Sequence, residues 1–231
     1  MKTVGKVGAA VAALVFLSTP MGAARAADVP ISDAERLLFV SNHLARVGLH
    51  RQLDYGVKKQ GSLEAGFDGS AKLDILSRDG QGKAVDIHFL PGQPDASNPS
   101  LPHVEGNPIL LLFLERQTRE MARLTGGHAD YFKRRIRAAL AEHAKISDVQ
   151  VDVGGRSRPA KRIEISPYLE DPNRDRFEKF ARESYLFELA DGVPGTIYRL
   201  EARLPAPDGD AKAAPMLDET LTFKAEQPLK K

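Results

Sequence analysis

Residues 106–124 read GNPILLLFLERQTREMARL, and the reading of the fold turns on them. Asn107 is a favoured helix N-cap, and Pro108 follows at the first helical position, where its missing N–H costs nothing. Gly126 and Gly127 supply a left-handed stop. Leu110, Phe113, Leu114, Gln117, Met121 and Leu124 share one face at helical spacing. Ile109, Leu111 and Leu112 make the first turn apolar on its remaining sides as well. The pattern predicts a helix driven end-first into a core, with a sheet wrapped around it.

The segments on either side supply that sheet. Downstream of Leu53 the apolar period is two: Leu53, Tyr55 and Val57, then Phe67, Ala71, Leu73 and Ile75, then Val85, Ile87 and Phe89, with charged residues between. Short links predict a meander of three neighbouring antiparallel strands, wet on one face. Residues 91–102 are rich in Pro, Asn, Asp and Ser and read as an exposed loop before the helix. A second helix is expected over 129–145, its inner face carrying Phe132, Ile136, Ala139, Leu140 and His143. The short Gly126-Gly127 link makes the two helices antiparallel neighbours.

Beyond them, Val149 to Val153 and Ile163 to Ile165 read as a hairpin, and Asp171 with Pro172 as the start of a short helix. Tyr185, Phe187 and Leu189 alternate, as do Tyr198, Leu200, Ala202 and Leu204, whose partners Arg199, Glu201 and Arg203 point outward. Residues 205–215 form a loop. Leu217, Leu221 and Phe223 make a final edge strand before a solvated Lys230-Lys231 tail. Near the N-terminus, Ser32 and Glu35 form a capping box for a helix with Leu37, Val40, Leu44 and Val47 along one stripe and Gly48 at its end. Strands come in antiparallel runs rather than alternating with helices. The fold class is therefore α+β: a curved antiparallel sheet, open or curled into a half-barrel, packed on one face by several helices.

The first residues have another purpose. Lys2 and Lys6 precede the short apolar run Ala9–Leu17, and Ala24-Arg25-Ala26 meets the small-x-small rule, so residues 1–26 read as a cleaved signal peptide. Residues 27–231 read as one α+β domain. The whole sequence has no cysteine, which removes disulfides and the lipid-bearing residue of a lipoprotein. The expected location is the bacterial periplasm, in soluble form, with no integral membrane segment once the signal is removed. The full chain has 33 Lys+Arg against 31 Asp+Glu, but three of the cations belong to the signal. The mature balance is close to neutral, which speaks against a nucleic-acid partner.

Catalytic and cofactor signatures are missing. The histidines (His43, His50, His88, His103, His128 and His143) have no close metal-ligand spacing. The sequence holds no GxSxG, SxxK, P-loop or GxGxxG motif, so no cofactor or metal is expected. The Asp171–Asp175 run lacks the spacing and central glycine of a calcium loop. Glu115 is the acid most open to a hydrolytic role, although its spacing to Arg119 is that of an ordinary i,i+4 pair. The densest charge lies in Tyr131–Arg137, YFKRRIR. Lys133, Arg134 and Arg137, with Arg116, Arg119 and Arg123 on the preceding helix, form a candidate binding patch for a phosphate or an anionic lipid headgroup.

The strand order from Leu53 to Leu90 and the central apolar helix together resemble, in outline, the periplasmic lipoprotein-carrier and lipoprotein-receptor half-barrels. That resemblance implies a sheet folded over helices around a lipid-sized cavity; it concerns fold and not function. The leading expectation is a non-enzymatic periplasmic binding or envelope-assembly protein sheltering an apolar or lipid-like ligand, or holding a partner protein. The alternatives are an envelope hydrolase using a buried carboxylate and a structural scaffold without a small ligand.

Overall fold

Nine antiparallel strands line up in one open, curved sheet whose order is not that of the chain. The computed structural model describes residues 30–80, 82–90, 100–207 and 213–229. All the elements below belong to the unit spanning residues 31–231. The signal peptide, most of the 91–102 loop, part of the 205–215 loop and the C-terminal lysines lie outside the described residues.

The chain enters through α1 (Asp33–Glu35), which opens on the expected capping box: Ser32 Oγ accepts from the Glu35 N–H while Glu35 caps the Ser32 N–H. One wide turn over Arg36–Val40 follows, closed by the Ser41 N–H donating to Arg36 O. The expected helix to Gly48 does not form. Val40 is more than half exposed, whereas Leu44 and Val47 are buried from a non-helical segment. Tertiary partners capture the backbone there: Leu44 N–H donates to Glu105 O, and the buried Lys83 ammonium donates to the carbonyls of Leu44 and Val47. Burial pushes that ammonium's pKa down.

Strands β1 (Arg51–Gln60), β2 (Phe67–Asp79) and β3 (Gly82–Leu90) form the expected meander. The stretch expected to be all loop ends in a further strand, β4 (Ser100–Val104), which pairs with β3 as the sheet's first edge. Next come α2 (Pro108–Thr125) and α3 (Ala129–Glu142). Asn107 caps α2 through Ile109 N–H at 3.2 Å, and Gly126 ends it at φ 70°. Leu110, Phe113 and Met121 are buried to about one per cent exposure, but Leu111 is 60% exposed, so α2 is embedded along one side and not end-first. His143 caps α3 from the surface instead of lying in the core, with its ring 3.6 Å from Glu142.

The remaining strands are β5 (Lys145–Val153), β6 (Arg156–Ile165), β7 (Ser184–Leu189), β8 (Ile197–Leu204) and β9 (Leu217–Pro228). Between β6 and β7 lies α4 (Arg174–Phe177), capped at Asn173 rather than Asp171. The Asp171 carboxylate is instead buried, accepting from Tyr131 Oη and Asn173 N–H, both at 2.7 Å, with the Arg135 Nε at 2.6 Å. The expected edge strand is the middle of the sheet. In the order β4-β3-β2-β1-β9-β8-β7-β6-β5, β9 pairs β1 on one side and β8 on the other. Alternation marks a strand but does not choose its neighbours, and β1 would otherwise lack a partner opposite β2.

The helices cover one face of this sheet. Leu53, Tyr55, Leu73, Ile87, Leu200, Phe187 and Ile163 project into them and join Leu110, Phe113, Phe132 and Ile136 in one continuous core. Near α3 the core is aromatic: Phe132, Tyr168 and Phe177 meet edge to face with centroids 5.4–6.3 Å apart. The other face is mainly polar, with a small apolar cluster around Val151, Ala160 and Val193. A bulge at the start of β8 brings Ile197 into the core and turns Tyr198 away to join Val151 and Val193. Glu201 points to the outer face, as expected, yet is buried there beside Arg199.

Candidate functional site

The helices leave part of the inner face of β5–β7 uncovered. In register, Asp148 pairs Lys161 and Lys161 pairs Leu189, so all three lie on the helix-bearing face. Residues 37–46 and the β7–β8 turn rise on either side, enclosing a cleft of about 610 Å³. Leu37, Pro159, Leu189 and Pro194 contribute apolar wall; Arg46, Lys161 and Asp191 contribute charge.

The wall made by residues 41–46 has no regular structure of its own, and Asn107 holds it in place. His43, 4% exposed, accepts at Nδ1 from the Asn107 N–H (3.1 Å) and places Nε2 2.8 Å from Leu37 O. The Asn107 side chain donates from Nδ2 to Tyr55 Oη (2.8 Å) and to Gly195 O (2.9 Å). One residue thus joins the α2 cap, β1, the cleft wall and the β7–β8 turn. Gly195 sits at φ 77°, where a Cβ would come within 2.7 Å of Leu53 Cδ1. That approach and that backbone angle require glycine.

A second cleft of about 680 Å³ lies between the end of α3 and strands β5–β8. Its lining mixes charges of both signs, among them Glu142, Lys145, Glu164, Glu170 and Arg203, with apolar Ile165, Pro167 and Leu169. Leu110, Phe113 and Leu114, on the apolar face of α2, border neither cleft. Leu110 and Phe113 are packed solidly into the core.

The six basic residues of the candidate patch face in several directions. Arg116 turns to the sheet and grips Glu219 of β9 with two bonds of 3.1 Å. Arg123 bonds Glu120 at 2.8 Å and also Glu64, and Lys59 reaches the same two acids at 2.8 and 3.0 Å. Burial pushes the Glu120 carboxyl up, but Arg123 and Lys59 outweigh it and hold its pKa well below the usual range. Arg119 and Lys133 converge on Glu115, each at 3.0 Å. The Lys133 bond, with Arg119 beside it, depresses that carboxyl, so Glu115 is an ion-pair partner held as the anion. Arg134 lies 5.9 Å over the Tyr131 ring, and Arg137 is exposed without a charged partner among the described residues.

The buried acid that sequence reasoning did not single out is Glu183. It is 5% exposed, accepts from Tyr185 Oη at 2.8 Å, and Tyr185 contacts Tyr168 Oη at 3.2 Å. Burial pushes its pKa up to about 8, so near neutrality it is a protonated acid inside the core. It borders neither cleft. Among the described residues, no group of three His, Asp or Glu side chains is placed to hold a metal ion, and no helix is long and apolar enough to cross a membrane.

Neither a protein-family model nor a curated relative matches the sequence. Solved structures do match over most of its length. A chain of the Pseudomonas aeruginosa MucA/MucB complex is 16% identical with a TM-score of 0.35, the match covering 85% of this chain and 57% of that one. The Mycobacterium tuberculosis lipoprotein LppX is 11% identical at 0.34, covering 84% and 95%. A LolA superfamily protein from Nitrosomonas europaea is 8% identical at 0.24, covering 86% and 94%. This chain spans just over half the length of the first of these.

Proposed function

We propose that this chain is a non-enzymatic binding protein of the bacterial envelope, working in the periplasm, and that it holds an amphipathic ligand in the cleft between residues 37–46 and strands β5–β7. The observation that carries this reading is the cleft itself: about 610 Å³ of space with apolar wall and charged rim on one lining. Pockets of a few hundred cubic ångströms, mostly apolar with a few placed polar groups, are the usual small-molecule sites. Arg134 and Arg137 on α3 then serve as the contact with an anionic membrane surface from which such a ligand is taken or to which it is given.

The test is native mass spectrometry of the mature protein purified from its own periplasm, beside the variant Ala45→Trp, which narrows the cleft from an exposed wall position. A co-purifying amphiphile, lost on mild denaturation and depleted in the variant, supports the reading. The bare-chain mass in both overturns it in favour of a scaffold, the role that the solid packing of Leu110 and Phe113 suits best.

A further inference from the structure

Six residues of the cleft lining carry charge or can acquire it: His43, Arg46, Asp148, Lys161, Asp191 and Glu226. Most are already balanced. Lys161 Nζ lies 2.6 Å from Asp148 Oδ1, and Glu226 Oε1 lies 2.9 Å from Arg51 Nε. His43 spends both ring nitrogens on the backbone and is held as the neutral ring. Arg46 and Asp191 remain, each exposed and without a charged partner among the described residues. They stand on different walls, Arg46 on the 41–46 segment and Asp191 on the β7–β8 turn. The apolar stretch formed by Leu37, Pro159, Leu189 and Pro194 shares the same lining.

From this balance we infer that the cleft selects a zwitterionic amphiphile, its phosphate on Arg46, its ammonium on Asp191 and its tail along the apolar wall. The inference rests on the proposed binding role of the cleft and adds the class of ligand. A purely anionic head meets one cation and one acid, so it gains at Arg46 and loses at Asp191. A zwitterionic head gains at both. Each contact is a solvent-exposed ion pair, so each contributes a small factor and the preference comes from the two together.

Isothermal titration of the mature protein with lysophosphatidylethanolamine, lysophosphatidylglycerol and tail-free glycerophosphoethanolamine tests this. The expected order places the zwitterionic lysolipid about three- to tenfold ahead of the anionic one, the range for one or two exposed ion pairs. The tail-free head binds far more weakly if a lipid is the source of that head. Asp191→Lys is expected to reverse the order, and Arg46→Ala to weaken both lysolipids. An equal or anionic preference in the wild type, unchanged by Asp191→Lys, overturns the zwitterion assignment and leaves the binding role standing. No binding of either lysolipid overturns both. Stronger binding of the tail-free head than of the lysolipids overturns the lipid as source.

Discussion

His43 Nδ1 accepts a hydrogen bond from the backbone N–H of Asn107, 3.1 Å away. An amide N–H can only donate, so Nδ1 carries the lone pair, and Nε2 carries the proton it gives to Leu37 O. The ring is therefore fixed in one neutral tautomer, and a second proton would confront the Asn107 N–H. Burial lowers its pKa from 6.5, only partly opposed by the Leu37 bond. Between the folded value and 6.5 the unfolded chain binds more protons, so this group's contribution to stability is lost as pH falls below about 6.5. Urea midpoints of the wild type and His43→Gln, measured at pH 7.5 and 5.0, isolate the effect. The wild type should lose more on acidification than the variant does. Equal changes would refute the lowering of this ring's proton affinity by burial.

Glu183 acts in the opposite sense. Its folded pKa of about 8 stands above the 4.5 of the unfolded chain, so the folded state holds the extra proton. Its contribution is fully present below pH 4.5 and is lost as pH rises through about 8. Glu183→Gln keeps the shape and removes the ionisation. At pH 9 the variant should be more stable than the wild type by on the order of 2–4 kcal/mol, and near pH 4.5 the two should be similar. A variant less stable at pH 9 would show that the carboxylate form is the one the core accommodates.

Gly195→Ala meets two obstacles together: φ of 77° and contacts with Leu53 Cδ1, Asn107 Nδ2 and Tyr55 Oη. Gly154→Ala faces φ of 61° but open space. The Gly154 change should cost about 1 kcal/mol, and the Gly195 change clearly more, roughly 2–3 kcal/mol. Thermal denaturation of both separates backbone strain from crowding. Equal losses would mean that the Asn107 junction yields easily.

Arg134→Ala with Arg137→Ala should weaken binding to anionic vesicles, more strongly at low salt, because exposed charges are screened within about 8–10 Å at physiological ionic strength. Arg119→Ala serves as the control, since Arg119 already shares Glu115 with Lys133. Vesicle sedimentation reads the result. Loss in the control alone, with no loss in the double variant, would place the membrane contact elsewhere.

How much of this was legible in the sequence follows the range of the interaction responsible. Asn107, Pro108 and Gly126 fix the ends of α2 through local chemistry, and the helix appears where they put it. The same local logic fails over residues 36–47, where Leu37, Val40, Leu44 and Val47 keep helical spacing but Lys83 and Glu105 capture the backbone from far along the chain. The Ser41-Asn42 pair, two turn-forming residues inside that stretch, was the available signal. The cleft depends on that segment, so most of its lining was not legible either. Glu183 was legible in part: it stands two residues before Tyr185, in phase with the buried Tyr185, Phe187 and Leu189, but a carboxylate at that position reads as the polar end of a strand rather than as a core residue.

β9 lies between β1 and β8, and Tyr55 faces Phe223 across their shared boundary. The two outer groups of strands are each built from neighbours in sequence, but nothing in the sheet joins them except this strand, which follows the other eight along the chain. Completion of the sheet therefore waits on closing a loop of more than 150 residues, the kind of long-range step that slows folding. Until it closes, β1 presents an unpaired edge, and so does β9 on the side away from β8. Because the last strand to leave the ribosome is the central one, the two halves of the sheet stay separate until residues 217–228 are available to join them.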